Sequence, residues 1–400
     1  MTTVEINQEN LWRLETPGHE GWTHTARPND PNKYFMVTAD CHVNEPPDIW
    51  ERRIESHYRH RLPRVEVDAN GVKWSINEGW GPQKIRDLKL MGEDLERGAA
   101  GPKDPEQRLK DHARDGIDAE VIFPNKGLAM WATQDSLFSQ AMCRVYNDWA
   151  WETFGPYYDR LSPLAAIATG DIDGAVDEVY RVAKMGFRGL TLPTKPVFGA
   201  GDSEKLNYNL PVYDRFWAAV EECDLAMTFH VSTGKDPRGA KGNGGAVINY
   251  VVHSLAPTLE PIVNLCSSGV LERFPGLRFA SIEAGIGWIP WMLIAMDEAY
   301  HKHHMWAFPK LKQLPSEYYR QHGGASFGED APGIDLARKW NIVDNLMWAN
   351  DYPHHEGTWP HSAEAIERTM GQLSDGARAN ILGLNCARFL GIEVPQRYRH

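Results

Sequence analysis

The sequence predicts a (β/α)8 barrel, and three observations predict it. Eight short β-rich runs alternate with segments of helical pattern, as parallel sheets require. Four of those runs end in a residue able to bind a metal ion, at the strand ends where such a barrel builds its site. The 400 residues, 42 % of them hydrophobic, are also enough to fill so large a core.

The first run, Tyr34 to Ala39, leads into Asp40-Cys41-His42. Residues two apart on a strand share a face, so Asp40 and His42 can reach one ion while Cys41 points away into packing. The next runs are Ala119–Pro124, Leu161–Ile167 and Gly189–Leu192. Ala226 to His230 is the fifth, ending in a histidine, and Arg278 to Glu283 the sixth, ending in a carboxylate. Gly324–Phe327 is the seventh, and Asn345 to Asp351 the eighth, running into Tyr-Pro-His-His. Helices are expected over Ser136–Glu152, Ile172–Met185 with Asp171 and Asp173 near its start, Val212–Glu222 and Leu259–Arg273.

Each strand-end residue has an ordinary alternative, as a hydrogen-bonded rim histidine or a turn-forming aspartate. Joined in order along one chain, Asp40, His42, His230, Glu283 and Asp351 read as the ligands of one metal centre. Glu45 and the pair His354 and His355 stand close by as ligands of a second ion, or as groups that orient the first set or touch substrate. Three carboxylates with two imidazoles suit manganese or iron at least as well as zinc. His253, Lys195 and Arg188 are further polar candidates, with Lys195 read as a surface or substrate-contacting lysine. His301, His303 and His304 read as a solvated face.

Two regions interrupt the alternation. Residues 43–118 form a long insertion after the first strand, either a lid over the barrel mouth or a surface excursion. Residues 1–33 form an N-terminal extension whose Trp12 and Trp22 suggest a strap docked on the barrel or on another subunit. Residues 34–400 are then a single barrel domain. No internal repeat or low-complexity segment is evident.

A net charge of −12 without a basic cluster argues against nucleic acid and anionic membrane as partners and favours a small-molecule substrate. No apolar run approaches membrane-spanning length, and the first residues lack the pattern of a secretory signal, so a cytoplasmic location is expected. Five scattered cysteines suit reduced thiols rather than a disulfide framework. The aromatic segments with Trp288, Trp291 and Trp306 offer surface for a homo-oligomer or a hetero-oligomer.

The stretches Asp40–Trp50, Asp115–Pro124, Gly186–Leu190, Ser268–Leu277, Glu283–Trp288 and Trp348–His354 resemble the amidohydrolase-related family, whose members include metal-dependent hydrolases and non-oxidative decarboxylases. The resemblance implies that Asp40, His42, His230 and Asp351 fall at the family's ligand positions. It also implies a departure: Glu283 stands where the decarboxylases usually carry a histidine. The expected activity is hydrolysis or decarboxylation of a small organic acid or amide, with Asp351, Glu283 and His230 as the catalytic groups and zinc, manganese or iron as the ion. A dinuclear, O2-activating monooxygenase on the same barrel is the alternative, and it requires Glu45 and a histidine at a second ion. A non-catalytic metal-binding partner subunit is a third reading.

Overall fold

The computed structural model of the protein describes residues 7–85, 90–92, 95, 104–197, 206–233, 239–240 and 242–398. Strands are numbered along the chain: β1 Val37–Val43, β2 Arg64–Val67, β3 Lys73–Ile76, β4 Gln83–Lys84, β5 Ala119–Pro124, β6 Leu161–Pro163, β7 Ala165–Ala166, β8 Gly189–Leu192, β9 Ala226–His230, β10 Phe279–Ile282, β11 Gly323–Phe327 and β12 Leu346–Trp348. All but β2–β4 pair in parallel, in the orders β1-β5-β6 and β7-β8-β9-β10-β11-β12. β6 and β7 are two halves of one strand that changes partner at Leu164, whose N–H donates to Ile122. The ring closes where the chain beyond β12 meets β1: His42 N–H donates to Tyr352 O at 2.7 Å and Asp351 N–H to Asp40 O at 3.1 Å. Eight parallel strand positions in a ring make the expected barrel.

The interior is filled by inward residues of successive strands, among them Val37, Ala39, Val121, Phe123, Leu164, Ala226, Ile282 and Met347, in one apolar cluster with Leu390 and Ile392. Each fully buried side chain of the Val or Phe kind stabilises by about 1.5–3 kcal/mol. The strands are buried on both faces, β1 and β5 along their whole length, because helices cover the outside. Ser136–Phe154 and Ile172–Met185 form where the sequence pattern places them. The helix expected over Leu259–Arg273 is two, Leu259–Ser267 and Val270–Arg273, because Gly269 sits at φ 74° between them.

Within the insertion, β2, β3 and β4 form a small antiparallel sheet. In the turn between β3 and β4, Gly79 lies so close to Ala132 O that no Cβ fits, and Arg61, just before β2, bridges Glu78 and Asp135. These contacts dock the segment on the loop after β5, beside the barrel mouth. Residues 86–89, 93, 94 and 96–103 of the insertion lie outside the described residues, as do residues 1–6 of the extension. The described part of the extension runs along the chain that follows β12: Arg27 pairs with Glu364 and Glu367, His24 with Asp375, and Trp22 lies under the Arg378 guanidinium.

Candidate metal centre

β1, β9, β10 and β12 deliver one cluster to the carboxyl end of the barrel. Ligand-type atoms of Asp40, His42, His230 and Glu283 all lie within 4.8 Å of one another. His230 Nε2 is 3.4 Å from both Asp40 Oδ1 and Glu283 Oε2, and His42 Nε2 is 3.6 Å from Asp40 Oδ1 and from Asp351 Oδ1. A second group, His42, Asp351 and His354, shares His42 with the first.

The imidazoles are oriented from behind. His42 Nδ1 faces Pro124 O at 2.9 Å, and His230 Nδ1 faces Val231 O at 2.7 Å. A carbonyl can only accept, so each Nδ1 carries the proton when the ring is neutral and each Nε2 presents its lone pair to the cluster. Glu283 and Asp351 reach inward from a left-handed backbone, φ 58° and 53°, which costs a non-glycine residue of order 1–3 kcal/mol. Both distortions are held by neighbours: Glu283 N–H donates to Ser326 Oγ at 2.9 Å, and Asp351 N–H to Asp40 O.

Four cluster atoms, Asp40 Oδ1, His42 Nε2, His230 Nε2 and Asp351 Oδ1, are buried without a hydrogen-bond partner. Leaving one buried polar atom unpaired costs about 1–3 kcal/mol, so four converging orphans mark a place that a cation completes. The protonation preferences agree. Burial, with His354 and His230 nearby, pushes His42 well below the usual histidine value. Burial and the Asp351 charge push Glu283 well above the usual glutamate value, and burial likewise raises Asp351. Burial opposes the charging of His230, but Asp40 and Glu283 outweigh it and push that imidazole up to about 9. Crowded acids that take up protons are what a divalent ion would hold ionised instead. Asp, Glu and His donors of this kind suit manganese, iron or zinc.

The remaining sequence candidates separate. His354 joins the site: its ring stacks on His42 with centroids 4.2 Å apart, and its Nδ1 hydrogen-bonds the other carboxylate oxygen of Asp351, Oδ2, at 3.2 Å. Glu45 does not. Its carboxylate, 2 % exposed, accepts from the amides of Asn125, Lys126 and Gly127 at 2.9–3.0 Å. It therefore ties down the loop that follows Pro124, and so supports the carbonyl behind His42, rather than facing a second ion. His355 turns outward, half exposed and paired with Glu356. Lys195 pairs with Glu260 at the surface, Arg188 donates to Tyr158 O and Ser162 Oγ, and His301, His303 and His304 are exposed, as expected of a solvated face. Cys41 faces Thr38 and Asn350, away from the cluster.

Beside Glu283 and Asp351 opens a cavity of about 430 Å³ walled by Tyr250, Phe327, Gly328 and Glu356. Sequence reasoning missed Tyr250, Phe327 and the two carbonyls behind the histidines. Backbone acceptors leave no trace in residue identity, and the two aromatics carry no spacing signal.

The fold and this mouth define a class, the barrels whose strand ends present acidic and imidazole ligands to a metal ion. The chain belongs to the amidohydrolase family, whose model matches residues 39–392. It is 31 % identical over 247 residues to a gamma-resorcylate decarboxylase of Rhodococcus jostii (strain RHA1), a match spanning 56 % of this chain and 71 % of that one. A gamma-resorcylate decarboxylase of Rhizobium sp. (strain MTP-10005) is 28 % identical over 198 residues, 48 % of this chain and 58 % of the relative. Among solved structures, an amidohydrolase from Mycobacterium avium subsp. paratuberculosis K-10 shares the fold with TM-score 0.70 at 21 % identity, covering 90 % of this chain and 99 % of that one. A dihydroxybenzoic acid decarboxylase from Polaromonas sp. JS666, solved with bound manganese, aligns with TM-score 0.60 at 16 % identity over 91 % and 99 %.

Proposed function

We propose that this amidohydrolase-family enzyme is a metal-dependent lyase that removes CO2 from a small hydroxylated aromatic acid. The observation that carries the metal part is the convergence of ligand atoms of Asp40, His42, His230 and Glu283 within 4.8 Å of one another, those of Asp40, His42 and His230 being buried and unpartnered. Asp40, His42, His230 and Glu283 would hold a single divalent ion, with Asp351 beside it. The named relatives, gamma-resorcylate decarboxylases, supply the reaction class. When bound, the ion supplies positive charge that anchors the substrate's oxygens and draws electron density from the bond that breaks.

The chain's own groups account for the proton. Loss of CO2 leaves an electron pair on the ring carbon, which must receive one proton. Burial opposes charging of His354, yet its hydrogen bond with Asp351 wins and pushes the imidazole up to about 9. The Asp351–His354 pair therefore holds a proton at neutral pH next to the cavity. Glu283, where the resemblance leads one to expect histidine, is better placed as a ligand, 3.4 Å from His230. The dinuclear oxygenase reading lacks its ligands, since Glu45 is occupied by three amides and His355 faces outward. Tyr250 and Phe327 offer apolar walls to an aromatic ring.

The test is CO2 release from a panel including 2,6-dihydroxybenzoate and 5-carboxyvanillate, with manganese and with chelator. The proposal expects release that chelator abolishes and that falls by about a hundredfold or more in Asp351→Asn. Hydrolysis of amides or esters without any CO2 release would move the enzyme to the hydrolases.

A further inference from the structure

We infer that Arg13, in the N-terminal extension, is a positioning residue for the loop that carries Asp351 and His354. The family match begins at residue 39, so this segment lies outside it. Arg13 sits on the short helix Gln8–Leu14 and is only 6 % exposed. Its guanidinium donates to His355 O at 2.6 Å and to Gly357 O at 2.7 Å, and among the described residues no carboxylate pairs with it. A buried guanidinium spent on two carbonyls is an expensive way to anchor a strap, which the ion pairs of Arg27 with Glu364 and Glu367 already do. What it grips explains the arrangement.

The chain from Asn350 to Thr358 is a tight knot. His354 N–H donates to Asp351 O, Gly357 N–H to His354 O and Thr358 N–H to Asn350 O. A Cβ on Gly357 would lie 2.3 Å from Asn350 O and 3.0 Å from Asp351 O, so Gly357 rests directly against the backbone of the strained Asp351. Arg13 therefore holds the far side of the residue that presses on Asp351. The grip is itself secured, because Arg368 donates to Arg13 O and Glu15 O while pairing with Glu329 at the mouth. Fixing two carbonyls at once needs a planar fork, which lysine lacks.

The experiment compares wild type, Arg13→Ala and Arg13→Lys as full-length protein by amide hydrogen exchange, with manganese binding as a second readout. Exchange at His354, Gly357 and Thr358 is expected to speed by about tenfold or more in Arg13→Ala, which loses both charged hydrogen bonds, while β9 and β10 stay protected. Arg13→Lys should be intermediate, and guanidinium ion far below denaturing concentration should restore Arg13→Ala and not change wild type. Unchanged exchange in the loop, or a rise shared equally by loop and strands, would overturn the inference. The inference draws its functional meaning from the proposed metal centre, but the exchange readout stands apart: failure of wild type to bind manganese would count against that centre and leave the loop result to decide the role of Arg13.

Discussion

Strand β1 separates two buried clusters built from the same kinds of residue. On one face Asp40 and His42 meet His230, Glu283 and Asp351. Behind the strand Glu120 meets Arg108 and His112, with Cys41 alongside. The rear cluster is largely complete: Arg108 donates to both oxygens of Glu120 at 2.6 and 2.5 Å and to His42 O at 2.8 Å, and His112 Nε2 lies 2.6 Å from Glu120. It leaves His112 Nδ1 as its one unpartnered atom, against four in the front cluster. The difference lies in the cation. Arginine brings its own permanent charge and five donors, so the rear needs nothing more, whereas the front holds acids and imidazoles and requires a cation from solution. Residue type alone therefore does not distinguish a metal centre from a structural ion pair; satisfaction of the polar atoms does.

The comparison breaks first under ligand substitution. Asp40→Asn and His230→Ala should lower manganese affinity by more than about a hundredfold, since even groups behind a ligand are worth 10–100-fold. Circular dichroism should show these variants folded, and loss of fold would mean that the front is structural too. Glu120→Ala should do the opposite, destabilising the protein by about 3–5 kcal/mol through an unpaired buried guanidinium, read by denaturant unfolding. A third variant sharpens the link between the clusters. Glu45→Ala frees the amides of Asn125 to Gly127 and loosens Pro124 behind His42, so manganese affinity should fall by about tenfold without loss of fold.

A pH series gives the smallest but most diagnostic difference. In chelated protein Glu283 and Asp351 have folded pKa values above their unfolded ones. Their contribution to stability is then fully present below the ordinary carboxylate range and is lost as pH rises through the folded values. The melting temperature of the chelated form should drop across that window, while the manganese form, whose carboxylates stay ionised, should not show the same drop. Parallel profiles for the two forms would mean that no ion sits among these acids.

Much of this was legible in the sequence, for reasons that particular residues make clear. Strands β5, β8 and β9 begin and end where apolar runs do, because a strand buried on both faces is written as a continuous apolar word. Asp40, His42, His230 and Glu283 stand out in the sequence and come together in space, because a polar residue ending such a run has few places to point. Glu45 and His355 were equally near in sequence, yet one folds back onto amides and the other turns to solvent, and spacing does not encode which partner a side chain finds. Arg108, Glu120 and Arg13 escaped for the same reason. Their roles depend on contacts across 12 to 344 residues of chain.

The most direct test of the account is the metal content of protein purified without chelator, measured by mass spectrometry for wild type and Asp40→Asn. One divalent ion per chain in wild type, with little or none in Asp40→Asn, is the predicted result. An Asp40→Asn protein that keeps a full complement, or a wild type that takes up no divalent ion even when manganese is supplied, would contradict it.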